Sequence, residues 1–160
     1  MTDVKGPDFV ELVREIKAPP ERVFRALTDG DELVLWWTGK MGLKRVESDL
    51  RAGGRYRWEF SDRDQTAVVH GEYRVVDPPH KLVMTWFSPK WPDMETVLSF
   101  ELAPTATGTR LKLRHTGLTA PGACDDHERG WLEALALLIP WLATVGPFLA
   151  ARRGGGATAE

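Results

Sequence analysis

Arg55-Tyr56-Arg57-Trp58-Glu59-Phe60, then Asp62-Arg63-Asp64, then Val69-His70-Gly71-Glu72-Tyr73-Arg74-Val75 is the stretch that sets the architecture. In the first run Tyr56, Trp58 and Phe60 alternate with charged residues. That period of two places aromatic rings on one face of a strand and charges on the other. The acidic–basic–acidic triplet reads as a turn. In the second run Val69, Gly71, Tyr73 and Val75 alternate with His70, Glu72 and Arg74. Two half-buried strands joined this closely are antiparallel neighbours.

The same grammar continues on both sides. Toward the C-terminus, Asp77-Pro78-Pro79 breaks the chain, and Lys81 to Phe87 puts Leu82, Met84 and Trp86 on one face. Glu95 to Leu102 shares a face through Leu98, Phe100 and Leu102, and Gly108 to Thr116 through Leu111, Leu113 and His115. Toward the N-terminus, Arg51-Ala52-Gly53-Gly54 is a turn preceded by a strand from Lys44 to Leu50. Before that, Leu33, Trp36 and Trp37 sit on a short helix that Asp29 or Asp31 can cap. Pro20 to Leu27 carries Val23, Phe24 and Leu27 at helical spacing, with proline at the helix start. Phe9 to Ile16 alternates as an opening strand. After the last strand, Trp131, Leu135, Leu138 and Leu142 recur at helical spacing, with Asp125 or Asp126 as the expected N-cap and Pro140 as a kink or stop. The expected fold class is α+β: a curved antiparallel sheet of about six to seven strands wrapped around one long C-terminal helix, with two short helices after the first strand.

Composition sets the outer limits. The chain has 160 residues, 21 Lys plus Arg and 23 Asp plus Glu, for a net charge of −2. One domain is expected over residues 1–153, with a Gly-rich disordered tail at 154–160. The near-neutral balance offers no field for nucleic acid. One cysteine, Cys124, forms no internal disulfide and fits a cytoplasmic location. Near a helix N-terminus its thiol is expected to be somewhat acidified and reactive. Residues 134–151 carry no charge, but Pro140, Thr144, Gly146 and Pro147 interrupt the run, so no membrane span is expected.

Several segments together resemble a known family. Residues Ile16 to Thr28, the Trp36-Trp37 pair, the turn Leu50-Arg51-Ala52-Gly53-Gly54-Arg55-Tyr56 and the run Gly71 to Leu82 with Thr85-Trp86 match in order. Gly108 to Leu118 and Gly130-Trp131 complete the pattern. They resemble the START-like (SRPBCC) superfamily, in the branch named for the activator of heat-shock protein 90 ATPase. The resemblance runs from about residue 9 to 143. It implies a helix-grip fold with an apolar cavity between sheet and helix. It does not fix an activity, because the superfamily holds carriers, cyclases and co-chaperone domains.

Seven of the fifteen aromatic residues are tryptophan, which is the clearest chemical signal. Trp37, Tyr56, Trp58, Tyr73, Trp86, Phe100 and Trp131 come from different elements and share the expected inner face, together with Leu135. Such a set either lines an apolar ligand pocket or fills the space itself. His115 points to the same face; it either orients a ligand, acts as acid or base, or is satisfied by backbone at a strand end. His70 and His80 read as surface, and so does His127, with the cavity mouth as its alternative. Four scattered histidines give no metal-ligand spacing, and no motif calls for a cofactor. The expected function is therefore binding of a small apolar molecule in an internal cavity. The alternatives are a cyclase- or hydrolase-type enzyme using the same cavity, or a protein-interaction module. For the last, Val145 to Ala151 would otherwise expose Phe148 and Leu149, and a homodimer through that segment would cover them.

Overall fold

The structure is a computed structural model, and residues 2–144 are described. The strands are β1 (Val4–Lys5), β2 (Phe9–Ile16), β3 (Gly42–Ser48), β4 (Arg55–Ser61), β5 (Thr66–Asp77), β6 (Lys81–Ser88), β7 (Trp91–Pro104) and β8 (Thr109–Thr116). The helices are α1 (Pro20–Thr28), α2 (Gly30–Trp36) and α3 (Ala123–Thr144). All strands join one antiparallel sheet in the order β1-β2-β8-β7-β6-β5-β4-β3. The described sheet thus has eight strands, because the two-residue β1, which has no alternation to read, pairs with β2 through Val4 and Glu11. Helices α1 and α2 carry the chain from β2, beside β8, to β3 at the far edge.

The alternating residues fall where their period places them. Tyr56, Trp58, Leu82, Met84, Trp86, Leu98, Phe100, Leu111 and Leu113 are buried on one face of the sheet, and α3 buries Trp131, Leu135, Leu138 and Leu142. Each large aromatic removed from water contributes several kcal/mol, roughly 25 cal/mol per Å² of apolar surface. Between α1 and α2, Arg22 Nη1 meets Glu32 Oε1 at 2.6 Å with both side chains buried. The guanidinium also lies over the Trp141 ring of α3, 5.1 Å from its centroid. That pair ties three helices together, and removing one partner would strand a buried charge.

Four local expectations are corrected. Val75 does not face inward. A register shift between Tyr73 and Val75 in the β5–β6 ladder inserts a bulge, leaving Val75 38% exposed, while Val76 packs on the core. Helix α3 starts at Ala123, so Asp125 and Asp126 lie inside its first turn rather than at its cap. The helix also runs through Pro140 to Thr144, so of the two expectations for that proline, a kink or a stop, it is the stop that is overturned. Trp37 is the C-cap residue of α2 and not part of it. Asp29 is the cap of α2, its side chain accepting from the Asp31 N–H at 2.9 Å.

At Gly71 a side chain has no room. A Cβ there would sit 2.1 Å from the Thr85 carbonyl oxygen, the same oxygen that accepts the Tyr56 hydroxyl at 2.6 Å. The close approach of β5 to β6 at this point depends on glycine. The expected tail at 154–160 and the apolar segment at 145–151 lie outside the described residues.

Candidate functional site

A cleft of about 150 Å³ opens between the first two turns of α3 and strands β5 and β6. Trp37, Val69, Trp86 and Trp131 form its apolar walls, and Ser88, Asp126 and His127 bring polar groups, with Gly130 at the rim. Each element delivers its residue by simple periodicity. Val69 and Trp86 are inward positions of adjacent strands. His127 and Trp131 are four apart on α3 and so share one helix face. Trp37 reaches the site because the chain leaves the helix there. Its ring stacks on Trp36 at 5.2 Å and meets Trp131 at 5.6 Å. Trp131 in turn packs on Trp86 at 5.2 Å.

Of the residues expected to line a cavity, Trp37, Trp86 and Trp131 line this cleft. Tyr56, Trp58, Tyr73, Phe100, His115 and Leu135 are buried behind or beside it. The tyrosine hydroxyls are engaged: Tyr56 with the Thr85 carbonyl, Tyr73 with Ser48 Oγ at 2.8 Å. Burial pushes both phenols above their ordinary range. Phe100 meets the Trp131 ring edge-on at 6.0 Å.

His115 is wholly buried, and its two ring nitrogens are both engaged. Trp131 Nε1–H, which can only donate, lies 2.9 Å from His115 Nδ1. Nδ1 therefore accepts, and the ring proton of the neutral imidazole sits on Nε2. Nε2–H donates to Thr96 Oγ1 at 2.8 Å, and the Thr96 hydroxyl donates to the Trp86 carbonyl at 2.6 Å. The chain Trp131–His115–Thr96–Trp86 is directional and closed, and it runs through side chains rather than the strand-end backbone. Burial, with His127 nearby, holds the His115 pKa well below 6.5.

His127 is the residue that reading the sequence undervalued. It is 7% exposed rather than on the surface. Its ring meets His115 edge-on at 4.9 Å and tilts against Trp91 at 5.6 Å. Nδ1–H donates to the Ala123 carbonyl one turn back, at 2.8 Å. That bond fixes the tautomer and leaves Nε2 with its lone pair. Burial lowers its pKa below 6.5, against the opposing pull of the Ala123 bond and Asp126. The helical spacing to Trp131 was the available signal. A second feature has no sequence signature at all: the indole N–H groups of Trp58 and Trp86 are buried without a hydrogen-bond partner among the described residues.

The remaining candidates lie elsewhere. His70 and His80 are exposed, and His70 stacks on Phe87 outside the core. Cys124 is half-buried, and burial together with the Asp8 and Asp125 carboxylates raises its thiol pKa, opposite to the expected acidification. Its helix-end position is outweighed by this desolvation and negative charge. Among the described residues no three His, Cys, Asp or Glu side chains group as metal ligands, and no helix is long and apolar enough to cross a membrane.

Solved structures share this architecture. A protein of Rhodobacter sphaeroides superposes with TM-score 0.76 at 23% identity, covering 88% of this chain and 95% of its own. One from Chromobacterium violaceum gives 0.72 at 27% identity, covering 84% and 96%. An AHSA1-like protein from Aeromonas hydrophila gives 0.74 at 18% identity, covering 86% and 94%. No curated protein matches the chain. The family model described as Activator of Hsp90 ATPase homolog 1-like protein matches residues 17–139. With that match across most of the sheet and α3, the chain belongs to the Activator of Hsp90 ATPase homolog 1-like family, within the START-like superfamily.

Proposed function

We propose that this protein binds a small apolar molecule in the cleft between the sheet and the start of α3. The observation that carries the reading is the cleft itself. Three tryptophans wall a space of about 150 Å³, and Ser88, Asp126 and His127 bring polar groups to it. Small-molecule sites combine apolar walls with a few polar atoms in this way. The volume matches a single ring better than a sterol or long acyl chain.

The test is titration of the full chain with toluene, followed by tryptophan fluorescence. Saturable quenching is expected. Gly130→Leu should weaken it, because Gly130 lines the cleft and a Cβ there has open space around it to grow into. Circular dichroism should report an intact fold. No saturable response to toluene up to its solubility would refute the reading.

The enzyme alternative through His115 finds no support in the geometry, because neither of its nitrogens is left to take or give a proton to a substrate. The protein-interaction alternative rests on Val145 to Ala151, outside the described residues. A cytoplasmic location and a homodimer remain part of this proposal, on composition and that segment respectively.

A further inference from the structure

The polar lining of the cleft is richer in acceptors than in donors. His127, 7% exposed, commits Nδ1–H to the Ala123 carbonyl, so Nε2 on the far side of its ring is an acceptor only. That Nε2 has no partner among the described residues, and unlike the Trp86 indole nitrogen it is not sealed from solvent. The open space that His127 borders is this cleft. The Asp126 carboxylate is a second acceptor, and the Ser88 hydroxyl can act either way. Lys90 and Arg129 already lie against Asp126, at 3.5 and 3.4 Å, which leaves His127 Nε2 as the acceptor that the protein does not serve. On the donor side, the Trp131 N–H is spent on His115 and the Trp86 N–H is out of reach. His115, edge-on at 4.9 Å, and Trp91, tilted at 5.6 Å, hold the His127 ring, so its lone pair is set before anything binds.

We infer that the cleft selects a neutral single ring bearing a hydrogen-bond donor, an N–H or O–H that His127 Nε2 accepts. A ring whose heteroatom only accepts gains nothing from that lone pair, and an anion would meet both it and Asp126 with the wrong charge. This assignment rests on the ligand-binding reading above. It makes His127 a specificity-determining residue for that site.

The experiment compares pyrrole with furan, five-membered rings of nearly the same size, of which pyrrole carries a donor N–H and furan only an acceptor oxygen. Both are titrated by NMR into the full chain carrying nitrogen-15-labelled histidine, at about pH 7.5, where the His127 imidazole is neutral. Pyrrole should bind about tenfold more tightly than furan, the scale of one neutral hydrogen bond. The His127 Nε2 signal, recognised as that of the buried Nδ1–H tautomer, should move upfield with pyrrole and stay in place with furan. In His127→Phe the pyrrole preference should collapse to within about twofold. Furan binding as tightly as pyrrole, or a preference that survives His127→Phe, would overturn the assignment while leaving an apolar site intact. Toluene bound with neither heterocycle bound would do the same. If His127→Phe does not fold, the wild-type Nε2 signal decides: no upfield movement at saturating pyrrole overturns the inference. Binding of none of the three probes would remove both the inference and the reading beneath it.

Discussion

One buried histidine lies behind the cleft and another lines it, and the rings are only 4.9 Å apart. Behind the cleft, β8 presents His115 with both nitrogens bonded, to Trp131 and to Thr96. At the mouth, α3 presents His127 with one nitrogen bonded and one left over. The two share residue type, burial and aromatic surroundings. They differ in how many hydrogen bonds the protein itself completes. A saturated buried polar network rigidifies the core. An incomplete one next to open space is where a ligand can gain what the protein does not supply.

Substitutions should break this symmetry in order of size. His115→Phe should be the most damaging, because it leaves Trp131 Nε1 buried without its acceptor and takes the donor from Thr96; a loss of about 2–4 kcal/mol is expected from a urea melt. Retained stability would mean that this buried network is dispensable. Trp131→Phe removes the matching donor and should cost roughly 1–3 kcal/mol, with most of that loss already present in the His115→Phe background. A fully additive double variant would show that the two residues do not act through one bond. His127→Phe should cost under about 1 kcal/mol, since it gives up one bond to a helix carbonyl.

Acid should reveal both histidines together. Each has a pKa lowered in the folded chain relative to 6.5, so below that value the unfolded chain takes up protons that the folded chain refuses. Stability from these groups is complete above about pH 7 and falls as pH drops through 6.5, by up to about tenfold in the folding equilibrium per pH unit for each histidine. Urea midpoints at pH 7.5 and 5.5 measure this, and His127→Phe should flatten the slope less than the more deeply shifted His115 would. The smallest effect belongs to Lys90→Ala. Its 3.5 Å contact joins an exposed lysine to the half-buried Asp126, so the change should stay within about 0.5 kcal/mol.

Much of the fold was legible because alternation and helical spacing are local properties. The opening strand, Phe9–Ile16, follows from its own pattern to the residue. Tyr56, Trp58, Leu82, Met84, Trp86, Leu111 and Leu113 could be assigned inward from period two alone, and all are buried. Val75 escaped that reading because a bulge depends on how two strands register, which neither strand states. The start of α3 escaped it because Ala123 is two residues ahead of the acidic pair that suggested a cap.

The candidate site divides along the same line. Local periodicity already turns the aromatic rings inward, and the order of the motifs already carries the family. Which of those rings border open space, namely Trp37, Trp86 and Trp131, and which fill the core follows from how α3 packs on the sheet. That packing also decided that His115 is closed and His127 open. The reason is physical: a side chain's direction follows from its neighbours along the chain, but its hydrogen-bond partners come from other elements. Thr96 and Trp131 meet His115 across 19 and 16 residues. No local period encodes that meeting; the packing of α3 on the sheet brings it about.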